Sequence, residues 1–177
     1  MEPLSAEVAV NGLGRYFGLN VTDLGLNSDY RDLLIALADA GAEFLLIGGW
    51  ALALHGYGRG TDDMDVFVRS TPENAERVFK ALVEFGAPVA VHSVTAGLFA
   101  NAGYGYRIGI RPNLIELLTS IDGVTFDEAK SGRQYFDLEG RQIPYIGRTM
   151  LLKNKRAAGR AKDLADIEWL VSHPSDD

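Results

Sequence analysis

Apolar residues recur along this chain with two periods, near 3.6 and near 2, and the alternation between them outlines helices and strands. Leu33, Leu34 and Leu37 share one helical face over residues 28–40, with Ser28 placed to cap the first turn. FLLI at 44–47 is a short continuous apolar run and reads as a strand. Gly48-Gly49 break it, and WALALHG after them has helical spacing, so the chain runs strand, glycine turn, helix. The stretch DMDVFV at 63–68 is apolar on both faces once its second acid is passed, as in a buried strand. Pro72 suits the first turn of a helix to about residue 85, with Ala75, Val78, Phe79 and Leu82 as its buried stripe. Strands are expected near 96–99, 106–110, 113–118 and 142–146, and terminal helices over 148–172. Asp122-Gly123 reads as a turn and Thr125 as the cap of a short helix. Residues 1–27, interrupted by glycines, are expected to form an arm or short strand on the domain.

Composition fits one compact unit spanning 1–177. With 177 residues, 47% of them hydrophobic, the chain can bury a substantial core without a second domain. No cysteine is present, which excludes disulfides and thiolate metal sites and agrees with a cytoplasmic location. The longest apolar runs, 44–47 and 51–54, fall far short of the ~20 residues that span a bilayer, and no basic, apolar leader opens the chain. His55, His92 and His173 lack zinc-ligand spacing. A net charge of −7 argues against broad nucleic-acid binding, yet Lys153, Lys155, Arg156, Arg160 and Lys162 concentrate positive charge near the C-terminus. That patch is either a counter-charge for an anion or the solvated face of an amphipathic helix.

The candidate chemistry lies between Gly48 and Val68. Side chains alternate along a strand, so Asp63 and Asp65 share a face, with Cα atoms roughly 6.6 Å apart at ~3.3 Å per residue. Two carboxylates at that spacing can converge on one divalent cation. Alternatively, Thr61, Asp62 and Asp63 are turn or cap residues and Asp65 pairs with an arginine such as Arg59. Gly48-Gly49 likewise are either a plain tight turn or a place where free backbone N–H groups approach a phosphate.

Together, Gly48-Gly49, Arg59, Thr61, Asp63 and Asp65, in the order strand, GG, helix, R-x-T-x-D-x-D and apolar run, resemble the nucleotidyltransferase superfamily. The similarity is to its minimal bacterial branch, which includes AbiEii-type toxins and small antibiotic nucleotidyltransferases. The resemblance implies an α/β (α+β) fold, a mixed β-sheet flanked by helices, with Mg²⁺ or Mn²⁺ held between the acids and a nucleoside triphosphate. It also calls for a third acid on a neighbouring strand. Glu116, the single charge in NLIELL, fits that place as metal ligand or as base; otherwise it is an edge residue or the partner of an arginine such as Arg111. The run K-x-x-x-x-R-x-K-D-x-x-D resembles the family's closing helix and brings Lys155, Arg160 and Lys162 towards the nucleotide, Lys155 foremost. Asp163 and Asp166 are expected to fix that helix by pairing with basic groups, Lys162 among them.

The activity so implied moves a nucleoside monophosphate onto a hydroxyl of a tRNA or other RNA, a protein, or a small molecule such as an antibiotic. Gly48 and Gly49 would meet the phosphates, Arg59 a phosphate or the acid strand, and Thr61 the local backbone. AGYGYR at 102–107 is a turn or a loop near the acceptor. An antitoxin partner or a homodimer is a further expectation. The competing class is a non-catalytic binding module of the same fold, or one half of a toxin–antitoxin pair.

Overall fold

The computed structural model describes residues 25–174, so the arm expected at 1–27 lies, but for its end, outside the described residues. Seven helices and six strands follow one another: α1 (Ser28–Asp39), β1 (Phe44–Leu46), α2 (Gly48–Leu54), β2 (Asp63–Val68), α3 (Pro72–Phe85), α4 (Ala96–Phe99), β3 (Gly105–Ile108), β4 (Leu114–Leu118), α5 (Phe126–Ser131), β5 (Gln134–Leu138), β6 (Arg141–Tyr145), α6 (Arg148–Ala158) and α7 (Ala161–Ser172) among the described residues. The strands form one mixed sheet in the order β3-β4-β2-β1-β6-β5. The expected α/β architecture, a mixed sheet flanked by helices, is the one present.

Alternation on the central strands divides the core in two. Met64, Val66 and Val68 point with Leu46, Ile115 and Leu117 into a cluster closed by Leu33, Leu34 and Leu37 of α1 and Val78 and Leu82 of α3. On the opposite face Leu45, Ile47 and Phe67 meet Ala51 and Leu52 of α2, Leu151 of α6 and Leu170 of α7. Asp63 and Asp65 follow the parity of Phe67, so both acids stand on the α2, α6 and α7 side of the sheet. No helix among the described residues is long and apolar enough to cross a membrane.

Local signals explain most boundaries. Thr71 caps α3, with Pro72 in its first turn and left-handed Gly86 (φ +85°) closing it. Thr125 and Glu128 form a reciprocal capping box at α5. Asn27 rather than Ser28 caps α1, accepting from the Tyr30 N–H at 2.9 Å. The segment expected as a strand near 96–99 is helix α4, which tucks Phe99 edge-on against Tyr104 and Tyr106. β3 stops at Ile108 because Gly109, at φ +78°, turns the chain into β4. β5, an edge strand unforeseen in the sequence, buries only Phe136 and Leu138 of QYFDL.

Candidate active site

Parallel pairing of β2 with β4 sets Asp65 directly opposite Glu116, with Asp63 two residues back along the same face. The side chains of Asp63 and Glu116 are only 18% and 19% exposed. Asp63 accepts from the Thr61 hydroxyl at 3.1 Å and from Arg111 Nη2 at 2.9 Å. Burial pushes its carboxyl up, but these two donors outweigh that and hold it below its ordinary value. Glu116 accepts from Arg107 Nε at 2.9 Å, the residue opposite it on β3. The Asp65 carboxylate takes no hydrogen bond or ion pair from the described residues. Burial, reinforced by the charges of Asp63 and Glu116, pushes its carboxyl up to about 6.

The glycine turn lies hard against these acids. A Cβ on Gly48, whose φ is +62°, would sit 2.4 Å from Asp65 Oδ2, and one on Gly49 would sit 2.7 Å from Thr61 Oγ1. Both glycines are thus required by their contact with the acid strand. The Ile47 N–H holds the approach in place by donating to the Asp65 carbonyl at 3.0 Å. No side chain caps α2, in contrast to α1, α3 and α5, so the first N–H groups of α2 at the glycine turn carry no side-chain acceptor.

The C-terminal basic cluster is organised differently from expectation. The Lys155 side chain is 3% exposed, and its ammonium donates to Asp163 Oδ1 at 3.0 Å and Asp166 Oδ2 at 2.8 Å. Arg59 forks onto Asp166 through Nε at 2.6 Å and Nη2 at 2.9 Å. Arg160 grips Asp163 through Nε at 2.7 Å and Nη2 at 3.3 Å. Burial raises both aspartates, yet Arg160 and Lys155 at Asp163, and Arg59 and Lys155 at Asp166, hold them below the usual carboxylate range. The sequence reading makes Lys155 the foremost phosphate contact; the structure places its ammonium between two buried carboxylates, and Lys155 is not among the residues that line the cleft beside Asp63. Asp163 and Asp166 do fix the helix, through Lys155, Arg160 and Arg59 rather than Lys162. Arg59 acts from the loop before β2 and ties that loop to α7.

Of the basic candidates Lys162 alone stays beside the acids without an ion pair among the described residues, and its charge acts on both Asp63 and Asp65. With Arg59, Gly60, Thr61, Asp62, Asp63 and Arg111 it lines a cleft of about 260 Å³. The sequence reading brought together Gly48, Gly49, Thr61, Asp63, Asp65, Glu116 and Lys162, and these do share one neighbourhood. It missed Arg107 and gave Arg111 to Glu116, whereas Arg111 pairs with Asp63. The parity of GYRI, which turns Arg107 towards Glu116 once β3 and β4 are paired, is the signal that could have found it.

Among the described residues no group of three or more His, Cys, Asp or Glu side chains is arranged to hold a metal ion. Asp63, Asp65 and Glu116 are the type of oxygen donor that a hard divalent cation takes and stand on adjacent strands, with Asp65 half-buried, but as placed they do not gather around one point. Two of the three are turned onto guanidinium groups, which neutralise them in place of a cation.

No protein-family model and no curated protein matches the chain. Among solved structures it is similar to a crystal structure from Thermotoga maritima, named as a candidate nucleotidyltransferase, at 14% identity and a TM-score of 0.52, over 90% of this chain and 100% of that one. The fold is therefore nucleotidyltransferase-like.

Proposed function

We propose that this chain is a metal-dependent nucleotidyltransferase, moving a nucleoside monophosphate from a nucleoside triphosphate to an acceptor hydroxyl. The observation that carries the reading is Asp65, a half-buried carboxylate that accepts no hydrogen bond from the described residues, beside Glu116 on the neighbouring strand and pressed against Gly48. A structural acid in that place would have a donor; this one lacks its positive partner. Asp63 and Asp65, with Glu116 beside them, would hold Mg²⁺ or Mn²⁺, which supplies charge neutralisation for the triphosphate.

The chain's own residues do the rest. Thr61 fixes the Asp63 carboxylate by its hydroxyl. Gly48 and Gly49 keep side chains out of the space beside Asp65, so that main chain and phosphate can come close. Lys162, at the rim of the cleft, meets phosphate charge in the place earlier expected for Lys155. The acceptor oxygen attacks the α-phosphorus, the bond to the bridging oxygen breaks, and pyrophosphate leaves with the electron pair. Glu116 takes the proton of the acceptor hydroxyl.

The acceptor is an RNA such as tRNA, a protein or a small molecule such as an antibiotic, and a role beside an antitoxin belongs to the same proposal. A second reading, a non-catalytic module of the fold, draws on the arginines that already neutralise Asp63 and Glu116. It leaves Asp65 unexplained.

The test is incubation with Mg²⁺ and each labelled nucleoside triphosphate, together with total RNA, purified proteins or an antibiotic panel. Label should move to one acceptor, and Asp63→Asn should lower the rate by about a thousandfold, ~4 kcal/mol, with thermal stability preserved. Absence of both labelled product and metal-dependent nucleotide binding would overturn the enzyme reading.

A further inference from the structure

Arg107 and Arg111 are the only cations paired with the acid face among the described residues, and both are largely exposed. Arg107 is 70% exposed and Arg111 60%, while the acids they hold are 19% and 18% exposed. Each makes one contact, through a single nitrogen. Arg59, by contrast, offers two nitrogens to Asp166. Exposed pairs of this kind contribute little, so a competing charge can separate them at little cost.

The backbone beneath the two arginines is fixed. The Tyr30 hydroxyl lies 3.0 Å from the Pro112 carbonyl and 3.2 Å from the Leu114 carbonyl, placing α1 under the β3–β4 turn. The Asn27 Nδ2 donates to Asn113 Oδ1 at 3.0 Å, and the Asn113 N–H closes the turn onto the Ile110 carbonyl at 2.8 Å. A change of partner therefore needs only side-chain rotation about anchored Cα atoms. Arg111 also lines the cleft that holds Lys162, so its guanidinium stands between an acid on one side and an open basic rim on the other.

From this geometry we infer that Arg107 and Arg111 are exchangeable counter-ions: they hold Glu116 and Asp63 in the metal-free protein, and give up those acids to a divalent cation as they turn onto the phosphates of the nucleotide. The inference rests on the proposed nucleotide site and adds two phosphate contacts on the β3–β4 hairpin. Guanidinium suits both duties, since carboxylate and phosphate present matching oxygen pairs to its planar fork.

The consequence is an effect of opposite sign on two ligands. Arg111→Gln and Arg107→Gln remove a competitor for the cation and a partner for the phosphate at once. Mn²⁺ binding to the full chain, followed by the paramagnetic resonance of free Mn²⁺ in chelator-treated buffer, should tighten by about two- to fivefold in each variant. Binding of a fluorescent nucleoside triphosphate at saturating Mg²⁺ should weaken by about threefold or more. Thermal unfolding should match the parent, because both side chains are largely exposed. Equal Mn²⁺ affinity in parent and variants, or unchanged nucleotide affinity, would overturn the exchange while leaving the nucleotide site standing. Failure of the parent to bind either Mn²⁺ or nucleotide would overturn both.

Discussion

Two groups of acids in this protein are both shielded from water, and they are treated in opposite ways. Asp163 and Asp166 are wholly buried and receive donors from Lys155, Arg59 and Arg160. The carboxylates of Asp63, which lines a cleft, and of Asp65 and Glu116 beside it on the same face receive one hydroxyl, two exposed arginines and, at Asp65, no hydrogen bond from the described residues. Completely paired charge locks α6, α7 and the loop before β2 into one position. Incompletely paired charge is what the proposed function assigns to a cation. The first arrangement therefore belongs to the fold and the second to its chemistry. Their adjacency is useful, because Arg59 and Arg160 anchor the elements that carry Thr61 and Lys162 to the cleft.

The largest test of this contrast is Lys155→Met, which keeps side-chain volume and removes the charge. Two carboxylates buried at 0% exposure would lose their shared ammonium, and the expected loss is about 3 kcal/mol of folding stability by denaturant titration. Arg59 and Arg160 remain and keep the loss from being larger. A variant as stable as the parent would show that the network is not what locks the helices.

Asp65→Asn should move stability the other way. The Asp65 carboxyl is raised to about 6, so the native state takes up a proton that the unfolded chain releases near its ordinary 3.8. Between those values the native state binds more protons, and parent stability, measured with a chelator present, should fall as pH rises through that window. Asp65→Asn removes this slope and should exceed the parent by about 1–2 kcal/mol at pH 8. The gain should vanish when Mg²⁺ is added, since the cation stabilises only the parent. A less stable Asp65→Asn protein at pH 8 would mean that the carboxylate already has a satisfactory partner.

The sequence reading recovered the acid strand and the glycine turn because both are written in local patterns. Alternation fixes the shared face of Asp63 and Asp65, and a break between an apolar run and a helical one marks Gly48-Gly49. AGLF at 96–99 misled because four apolar residues have no readable period, and the helix there is set by packing of Phe99 against Tyr104 and Tyr106. The role of Arg107 depends on the register of β3 against β4, which no local pattern carries. Lys155 misled for a related reason: a run of Lys and Arg looks solvated, and burial of one member is decided by two aspartates a helix away. Charge is legible in a sequence, whereas its partner is a property of the fold.

The finest distinction lies between two basic residues separated by one position, Arg160 and Lys162. Arg160 caps α7 through Asp163 and is 54% exposed, so Arg160→Gln should cost at most about 1 kcal/mol, with Lys155 still holding Asp163. Its nucleotide affinity should stay within about twofold of the parent, because the guanidinium is already committed. Lys162→Gln should do the reverse, leaving unfolding unchanged and weakening nucleoside triphosphate binding by about three- to tenfold, with a smaller salt dependence. Calorimetric titration of both variants separates the roles. Equal losses of nucleotide affinity would return Arg160 to the phosphate site, where the sequence alone had placed it, and would mean that its pairing with Asp163 opens when the ligand arrives.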